Sequence, residues 1–311
     1  MRRLGTTDIL TPPMVLGGNV FGWTADREKS FALLDRFADA GGLLVDTADM
    51  YSNWVPGHRG GESEAIIGEW LKRSGRKLQV ATKMGMLSSD NHARLAPHKI
   101  VEACDASLRR LGVETIDLYF AHLDDADTPQ EEVLAAFGKL IDAGKVRHLG
   151  ASNFTGARLK SALDTATREG LPHYHVFQPE YNLLVRTGYE GERQDLCVTH
   201  NIGVIPYFGL ASGFLSGKYR SAADIGDAAR AGRINQAIDL GGLKILEAMD
   251  AVAAETHASL SQIALAWLAA QPGITAPIAS ATSIAQLDEL IAGWDLVLSK
   301  DQLDRLTASG I

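Results

Sequence analysis

One pattern recurs along this chain and limits what it can fold into: a short apolar run, a polar residue, a loop and then an amphipathic stretch. No low-complexity segment or linker separates the repeats. Short runs that are apolar at nearly every position are typical of parallel strands buried on both faces. The predicted strands are residues 14–16, 43–45, 78–81, 116–121, 146–151, 174–177, 204–206 and 274–279.

Residues that start and stop helices lie between these runs. Asp26 can cap a helix that runs to Ala40 and ends at Gly41. A second helix is predicted from Pro97 to Leu111, because Gly112 stops it. Capping boxes, in which Ser or Thr precedes Glu or Gln by three residues, predict further helix starts. These boxes begin at Thr128, Ser259 and Ser283.

Alternating strands and helices with about eight strands predict a parallel α/β fold, either an open doubly wound sheet or a closed barrel. An open dinucleotide-binding sheet needs Gly-x-Gly-x-x-Gly after an early strand. The early glycines are Gly17, Gly18 and Gly22, which have the wrong spacing, and a Walker loop is absent. We therefore expect a (β/α)8 TIM barrel, with residues 1–311 as one domain and a short N-terminal hairpin in residues 1–11.

Composition excludes several classes of protein. A hydrophobic content of 46% argues against disorder, and the net charge of −8 argues against a nucleic-acid-binding surface. Cys104 and Cys197 lie far apart, so we expect neither a disulfide scaffold nor a metal site. No signal peptide and no apolar stretch long enough to span a membrane is visible. These features predict a cytoplasmic globular enzyme or binding protein, and they do not indicate its oligomeric state.

In a TIM barrel the functional side chains collect where the strands end. Hydrogen-bonding or ionisable residues end nearly every predicted strand here, which would be unusual for a merely solvated edge. Taken singly, Asp46 could cap a turn, and His122 could be a satisfied core histidine. The residues at the strand ends are Asn19, Asp46, Lys83, His122, Ser152, Asn153, Gln178, Tyr207 and Ser280.

Four residues in this region suit acid–base chemistry on a carbonyl group. Tyr51 follows Asp46 by five positions, and its ordinary pKa of about 10 is too high for ready proton transfer near neutrality. We expect Lys83 to lower that pKa by favouring the phenolate. A lysine in a barrel mouth needs an anionic partner, which Asp46 supplies. His122 can then orient the substrate oxygen.

With these residues in place, the chain resembles the aldo-keto reductases. The motifs that carry the resemblance occur in the family's order, cover essentially the whole chain and place its catalytic tetrad on Asp46, Tyr51, Lys83 and His122. They are residues 45–51 (VDTADMY), 81–83 (ATK), 118–122 (LYFAH), 150–154 (GASNF), 178–182 (QPEYN), 210–219 (LASGFLSGKY) and the segment around Ser280.

The resemblance implies reduction of an aldehyde or ketone by NADPH bound in an extended form, with Tyr51 giving the proton. Ser152, Asn153 and Gln178 would bind the nicotinamide carboxamide, and Tyr207 would stack on the ring. Residues 210–218 would wrap the pyrophosphate, where glycines allow close approach and Lys218 adds positive charge. The full cofactor set is Asn19, Asp46, Ser152, Asn153, Gln178, Tyr207, Leu210, Ser212, Gly213, Lys218, Ser280, Thr282 and Gln286.

Two features of the chain bear on specificity. Many relatives carry an arginine for the 2′-phosphate where this chain has Thr282, and Leu290 replaces an asparagine. We therefore expect NADP(H) as cofactor with weak discrimination against NAD(H).

Trp23 and Trp54 are candidate substrate walls together with His122 and the loop of residues 52–62, although aromatic residues at a rim could equally be barrel packing.

Two other functions fit the same residues less well. The chain could be a slowly turning over NADP(H)-binding regulatory or sensor protein on this fold, as channel-associated relatives are. It could also be a barrel lyase or isomerase that uses Lys83 as a Schiff base, an alternative that the order of the motifs disfavours. Steady-state turnover distinguishes the first from a reductase, and borohydride trapping tests the second.

Overall fold

The structure is a computed structural model that describes residues 1–87, 92–226 and 228–310. The strands are β1 Arg2–Arg3, β2 Leu10–Thr11, β3 Val15–Gly17, β4 Leu44–Asp46, β5 Gln79–Met84, β6 Ile116–Ala121, β7 Val146–Ser152, β8 Val176–Gln178, β9 Gly203–Val204 and β10 Ile278–Ala279. The α-helices are α1 Arg27–Asp39, α2 Glu62–Ser74, α3 Pro97–Leu111, α4 Gln130–Asp142, α5 Gly156–Glu169, α6 Glu192–Thr199, α7 Ala231–Asp239, α8 Gly242–Thr256, α9 Leu260–Ala269, α10 Ile284–Ala292 and α11 Lys300–Ser309. Two 3₁₀ helices cover Ala211–Ser216 and Ala222–Asp224.

Strands β3 to β10 form one parallel sheet in the order β10-β3-β4-β5-β6-β7-β8-β9. The two ends of this sheet meet through backbone hydrogen bonds. Thr275 N donates to Val204 O (2.8 Å), and Ile278 N donates to Pro206 O (2.9 Å). Because β10 also pairs with β3, the sheet closes on itself, which confirms the predicted (β/α)8 barrel.

Alternate residues on each barrel strand face inward. On β6, Phe120 belongs to the interior apolar cluster, whereas Tyr119 packs on Phe137 of the surrounding helix α4. The predicted N-terminal hairpin is also present, since β1 pairs antiparallel with β2. Leu4 and Ile9 of the hairpin join the interior cluster, so the hairpin closes the amino-terminal end of the barrel.

Several predicted helix boundaries are confirmed. Asp26 caps α1 by accepting a hydrogen bond from Lys29 N (2.9 Å). Helix α3 ends before Gly112, whose φ of +65° reverses the chain. Ser259 and Gln262 form a full capping box at the start of α9.

The predicted capping box at Thr128 is wrong. Helix α4 begins at Gln130, and Pro129, with ψ of 135°, occupies the cap position in extended conformation. Thr128 is therefore one residue too early to cap the helix. Its hydroxyl instead donates to Asp125 Oδ2 (2.7 Å).

Three further observations concern membrane-spanning helices, metal-binding clusters and the two cysteines. In the described part of the chain, no helix is long and apolar enough to cross a membrane. Across the same residues, no cluster of three or more His, Cys, Asp or Glu side chains could hold a metal ion. Cys104 and Cys197 are free and buried, and burial raises the pKa of each thiol to about 12. Neither thiol is a ready nucleophile at neutral pH.

Candidate active site

The inward-facing rows of four barrel strands, β4, β5, β6 and β8, change from apolar to polar at their carboxyl ends. Residues two apart share a strand face, so each polar side chain stands directly above an interior apolar one. The polar side chains are buried and converge at the mouth of the barrel. The pairs are Leu44 and Asp46, Ala81 and Lys83, Phe120 and His122, and Val176 and Gln178.

Lys83 is the centre of a compact hydrogen-bond network. Its Nζ donates to Asp46 Oδ2 (2.7 Å), to the backbone oxygen of Thr47 (2.7 Å) and to the Tyr51 hydroxyl (3.0 Å). These bonds use all three protons of the ammonium group. The Tyr51 hydroxyl in turn donates to Asp46 Oδ2 (3.3 Å). The cation is thus held in one position beside the phenol oxygen.

Backbone and side-chain bonds hold this network from several strands. Thr47 N donates to Ala81 O (2.8 Å), and Asp49 N donates to Lys83 O (3.0 Å), which extends the pairing of β4 with β5. The second oxygen of Asp46 accepts from Gln178 Nε2 on β8 (2.9 Å). The carboxylate is therefore anchored on both oxygens.

The acid–base properties of the site differ from the sequence prediction in one respect. Burial, followed by the Asp46 carboxylate, raises the pKa of Tyr51 well above 10. The expected lowering of this pKa is wrong for the resting site, because burial and the Asp46 carboxylate beside the phenol oxygen outweigh the effect of a nearby cation. Burial also lowers the pKa of Lys83, although Asp46 opposes this shift. Tyr51 therefore carries its proton at neutral pH.

His122 lies beside Tyr51 with 6.1 Å between their ring centroids. Its backbone N–H donates to Met84 O (2.9 Å), and its Nδ1 has no hydrogen-bond partner among the described residues. Burial, with a smaller effect of Lys83, lowers the pKa of His122 well below 6.5. The imidazole is therefore neutral near pH 7.

A second set of polar groups links the ends of β7, β8 and β9. The Tyr207 hydroxyl donates to Asn153 Oδ1 (2.8 Å), and Asn153 Nδ2 donates to His122 O (2.9 Å). Asn153 adopts φ of +59°, which asparagine tolerates better than most residues. Ser152 Oγ donates to Gln178 O (2.8 Å). Ser152 lies behind this layer and does not line the cavity.

A cavity of about 780 Å³ opens above these groups, which is large enough for a small-molecule ligand. Eight of the predicted site residues at the strand ends or just beyond line it, whereas Lys83 lies behind them. The eight are Asn19, Asp46, Tyr51, His122, Asn153, Gln178, Tyr207 and Ser280.

The cavity continues along the loop that follows β9. Leu210, Ser212, Gly213 and Lys218 line it as predicted. The backbone at Ser212 and Gly213 is left-handed, with φ of +60° and +95°. Glycine adopts the conformation of residue 213 without the strain that a side chain would cause there.

The far end of the cavity lies between β10 and α10. Ser280 Oγ donates to Asn19 Oδ1 (2.7 Å). Ser283 caps α10 by accepting from Gln286 N. The predicted capping box is incomplete, because Gln286 Oε1 accepts from Thr282 N (2.9 Å) and Thr282 Oγ1 (3.0 Å) instead of from Ser283 N.

Aromatic residues form the wall of the cavity nearest to Tyr51. Trp23 and Trp54 are in edge-to-face contact with ring centroids 5.4 Å apart, and Trp54 lies 6.3 Å from the Tyr51 ring. Both indoles line the cavity, as the sequence analysis allowed.

Three charged residues of the cavity wall were missed by the sequence analysis. Arg230 and Arg233 reach it from the start of α7, and Glu289 reaches it from α10. None belongs to a motif or follows a strand, so the sequence contains no local signal for them. Only their positions along helices α7 and α10 relate them to the cavity, and that relation depends on how these helices pack.

The fold and the site together define a (β/α)8 barrel with a hydrogen-bonded tyrosine–lysine pair beside a cavity at its carboxyl end. A model of the aldo/keto reductase family matches residues 13–311. The chain belongs to this family, whose members reduce carbonyl groups with nicotinamide cofactors.

Three relatives illustrate the range of names in the family. The chain is 33% identical over 313 residues to the uncharacterized oxidoreductase YrpG of Bacillus subtilis, covering 97% of this chain and 93% of the relative. It is 30% identical over 289 residues to the NADP(+) aldo-keto reductase yakc of Schizosaccharomyces pombe, covering 88% and 80%. It is 30% identical over 319 residues to a probable voltage-gated potassium channel subunit beta of Oryza sativa subsp. japonica, covering 99% and 95%.

Proposed function

We propose that this chain reduces an aldehyde or ketone to the alcohol with NADPH, and that Tyr51 is the proton donor. The observation that carries the proposal is the Lys83 ammonium 3.0 Å from the Tyr51 hydroxyl, in a site that opens to a cavity. A buried phenol beside a fixed cation can release its proton to a carbonyl oxygen because the cation stabilises the phenolate as it forms.

Each member of the tetrad has a distinct task in this proposal. Tyr51 gives its proton to the carbonyl oxygen, and Lys83 stabilises the resulting phenolate. Asp46 keeps Lys83 charged and in place, since burial alone would favour the neutral amine. His122, which is neutral, orients the carbonyl oxygen by a hydrogen bond from its ring. The reduced nicotinamide supplies the hydride to the carbonyl carbon when it is bound.

The residues present fit a nicotinamide cofactor. A carboxamide needs both a donor and an acceptor, and Asn153 and Gln178 bring side-chain amides to the cavity wall. Ser152, which lies behind them, would support Gln178 through its backbone oxygen. The Tyr207 ring lines the same wall, and its hydroxyl is fixed by Asn153. We assign the nicotinamide to this part of the cavity.

The remainder of the cofactor would follow the cavity. The proposed pyrophosphate site is the loop that contains Leu210, Ser212, Gly213 and Lys218, and the proposed 2′-phosphate site is the start of α10. Asn19, Ser280, Thr282 and Gln286 supply hydroxyl and amide groups there. The stretch contributes no cation, and it contributes the carboxylate of Glu289. The hydroxyl and amide donors support NADP(H) as the cofactor, and the missing cation and the Glu289 carboxylate make its preference over NAD(H) small.

Oxidation of NADPH, followed by absorbance across a panel of aldehydes, ketosteroid-like ketones and sugar ketones, tests the proposal. We expect turnover with at least one class of carbonyl and its loss in Tyr51→Phe. Tight binding of NADP(H) without turnover on any of these substrates would instead support the regulatory or sensor function.

A further inference from the structure

Arg230 occupies an unusual position on the aromatic wall of the cavity. It immediately precedes α7, and its guanidinium carbon lies 5.2 Å from the centre of the Trp23 ring and 5.9 Å from that of Phe208. The side chain is partly buried between these rings. Stacking on aromatic faces fixes the guanidinium plane while leaving its N–H groups available at the edges.

No described residue neutralises this cation. In the described ranges 1–87, 92–226 and 228–310, no carboxylate forms an ion pair or hydrogen bond with Arg230. Arg233, one helical turn further on, differs because it pairs with Glu180 at 3.2 Å. Burial and the neighbouring Arg233 lower the pKa of Arg230. A desolvated cation without a partner is costly in a folded protein, and the cost is recovered when an anion binds.

The guanidinium faces the same space as the proposed proton donor. Trp23 contacts Trp54, and Trp54 contacts Tyr51, so two aromatic contacts connect Arg230 to the acid–base site. The positive charge of Arg230 also acts to lower the pKa of Tyr51, against burial and Asp46. Tyr51 and Arg230 line the same cavity, so a small molecule with its carbonyl at Tyr51 can extend towards Arg230.

We propose that Arg230 is a substrate-binding residue, and that the substrate is a small aldehyde or ketone with an anionic group, a carboxylate or a phosphate, beyond its carbonyl. This inference rests on the proposed reductase function. The anion would accept hydrogen bonds from the guanidinium, and the indole of Trp23 would hold that guanidinium in place. The proposed cofactor phosphate sites lie along residues 210–218 and at the start of α10.

Matched substrate pairs test the anion site in steady-state kinetics. The first pair is 4-carboxybenzaldehyde and its methyl ester, and the second is glycolaldehyde phosphate and glycolaldehyde. We expect wild type to prefer at least one anionic member. Arg230→Gln should lower the ratio of kcat/KM for the anion over its neutral partner by about 10- to 100-fold, mainly through KM, the usual range for a charged hydrogen bond. Which pair responds separates a carboxylate site from a phosphate site.

Two variants control for changes in folding and in general cavity charge. Arg233→Gln removes a cation from the same wall that is already paired, and should leave the ratio within about twofold. Arg230→Lys should retain part of the preference, because it keeps the charge and loses the planar geometry. Thermal unfolding of each variant reports on folding.

A binding measurement keeps the two proposals separable. Calorimetric titration of 4-(hydroxymethyl)benzoate and its methyl ester into enzyme saturated with NADP⁺ needs no turnover, and the cofactor's own phosphates then occupy their sites. A preference for the acid that Arg230→Gln abolishes supports the anion site even if no carbonyl is reduced. Equal loss for both members of every pair, or a rise confined to the KM for NADPH, overturns it.

Discussion

The Lys83 ammonium lies 3.0 Å from the Tyr51 hydroxyl oxygen, and Asp46 is hydrogen-bonded to both groups. In the resting site burial and the carboxylate keep the phenol protonated. In the proposed reaction a carbonyl oxygen takes that proton, and the cation then lies next to the new negative charge. Under this proposal the phenol becomes an effective acid only when the substrate is bound.

Tyr51→Phe removes the hydroxyl and keeps the ring. We expect the chemical step to fall by at least ~10²-fold, the usual scale for loss of a general acid, while the affinity for NADPH and the thermal stability stay close to wild type. Single-turnover oxidation of bound NADPH measures that step directly. A variant that still reduces the carbonyl within about threefold of wild type would show that the proton comes from elsewhere.

Asp46 and Lys83 should behave as one unit. Lys83→Met leaves a buried carboxylate without its cation, and Asp46→Asn leaves a buried ammonium without its anion, so each single change should destabilise the fold by about 3–5 kcal/mol. The double variant should lose much less than the two losses combined. Urea unfolding of the four proteins gives the coupling energy, and simple additivity would refute the coupling.

Under the proposed function, the start of α10 sets the preference for the phosphorylated cofactor. We expect wild type to favour NADPH over NADH modestly. Thr282→Arg adds the missing cation and should raise the ratio of the two kcat/KM values by about tenfold or more. Thr282→Gln, which adds length without charge, is the matched control. A wild-type ratio in favour of NADH would overturn the cofactor assignment, and an unchanged ratio in the arginine variant would place the phosphate elsewhere.

Stability should fall as the pH falls from about 6.5 towards 4. Burial lowers the pKa of His175 to about 4, and its ring lies against His173 (4.3 Å) and His148 (5.4 Å). Below about pH 6.5 the unfolded chain binds a proton that the folded chain does not, so unfolding becomes easier. His122 acts in the same direction.

Urea midpoints at about pH 7.5 and about pH 5 measure this dependence. His175→Asn should make the difference between the two midpoints smaller. His98, which is exposed on α3, provides the control, because His98→Gln should leave the difference unchanged. An equal slope in His175→Asn and wild type would exclude this histidine as a contributor.

The barrel and most of its site could be predicted because both depend on local patterns. Short apolar runs specify the sheet, and polar residues at the carboxyl ends of those runs are expected at the barrel mouth. This expectation places Asp46, Lys83 and His122 correctly from sequence alone. It does not distinguish Ser152, which lies behind the cavity wall, because a strand end predicts the rim but not which side chain is covered by its neighbours.

Other features depend on contacts between distant segments. The direction in which the pKa of Tyr51 shifts follows from burial and from the position of Asp46. Neither has a sequence signature. Arg230 reaches the cavity only because α7 packs beside the loop that contains Phe208. The last strand is shorter than predicted, because residues 274–276 bond to Val204 of β9. Bonding to β3 begins only at Pro277, whose oxygen accepts from Val15 N.

The closing seam has a consequence for how this protein is made. Val15 pairs with Ile278, so one edge of the first barrel strand has no partner until almost the entire polypeptide has left the ribosome. Until then β3 and β9 are open edges that can recruit strands from other molecules. Such distant pairing makes folding slow. A chain truncated before Ile278 would keep its proposed catalytic tetrad in sequence and still be prone to aggregation.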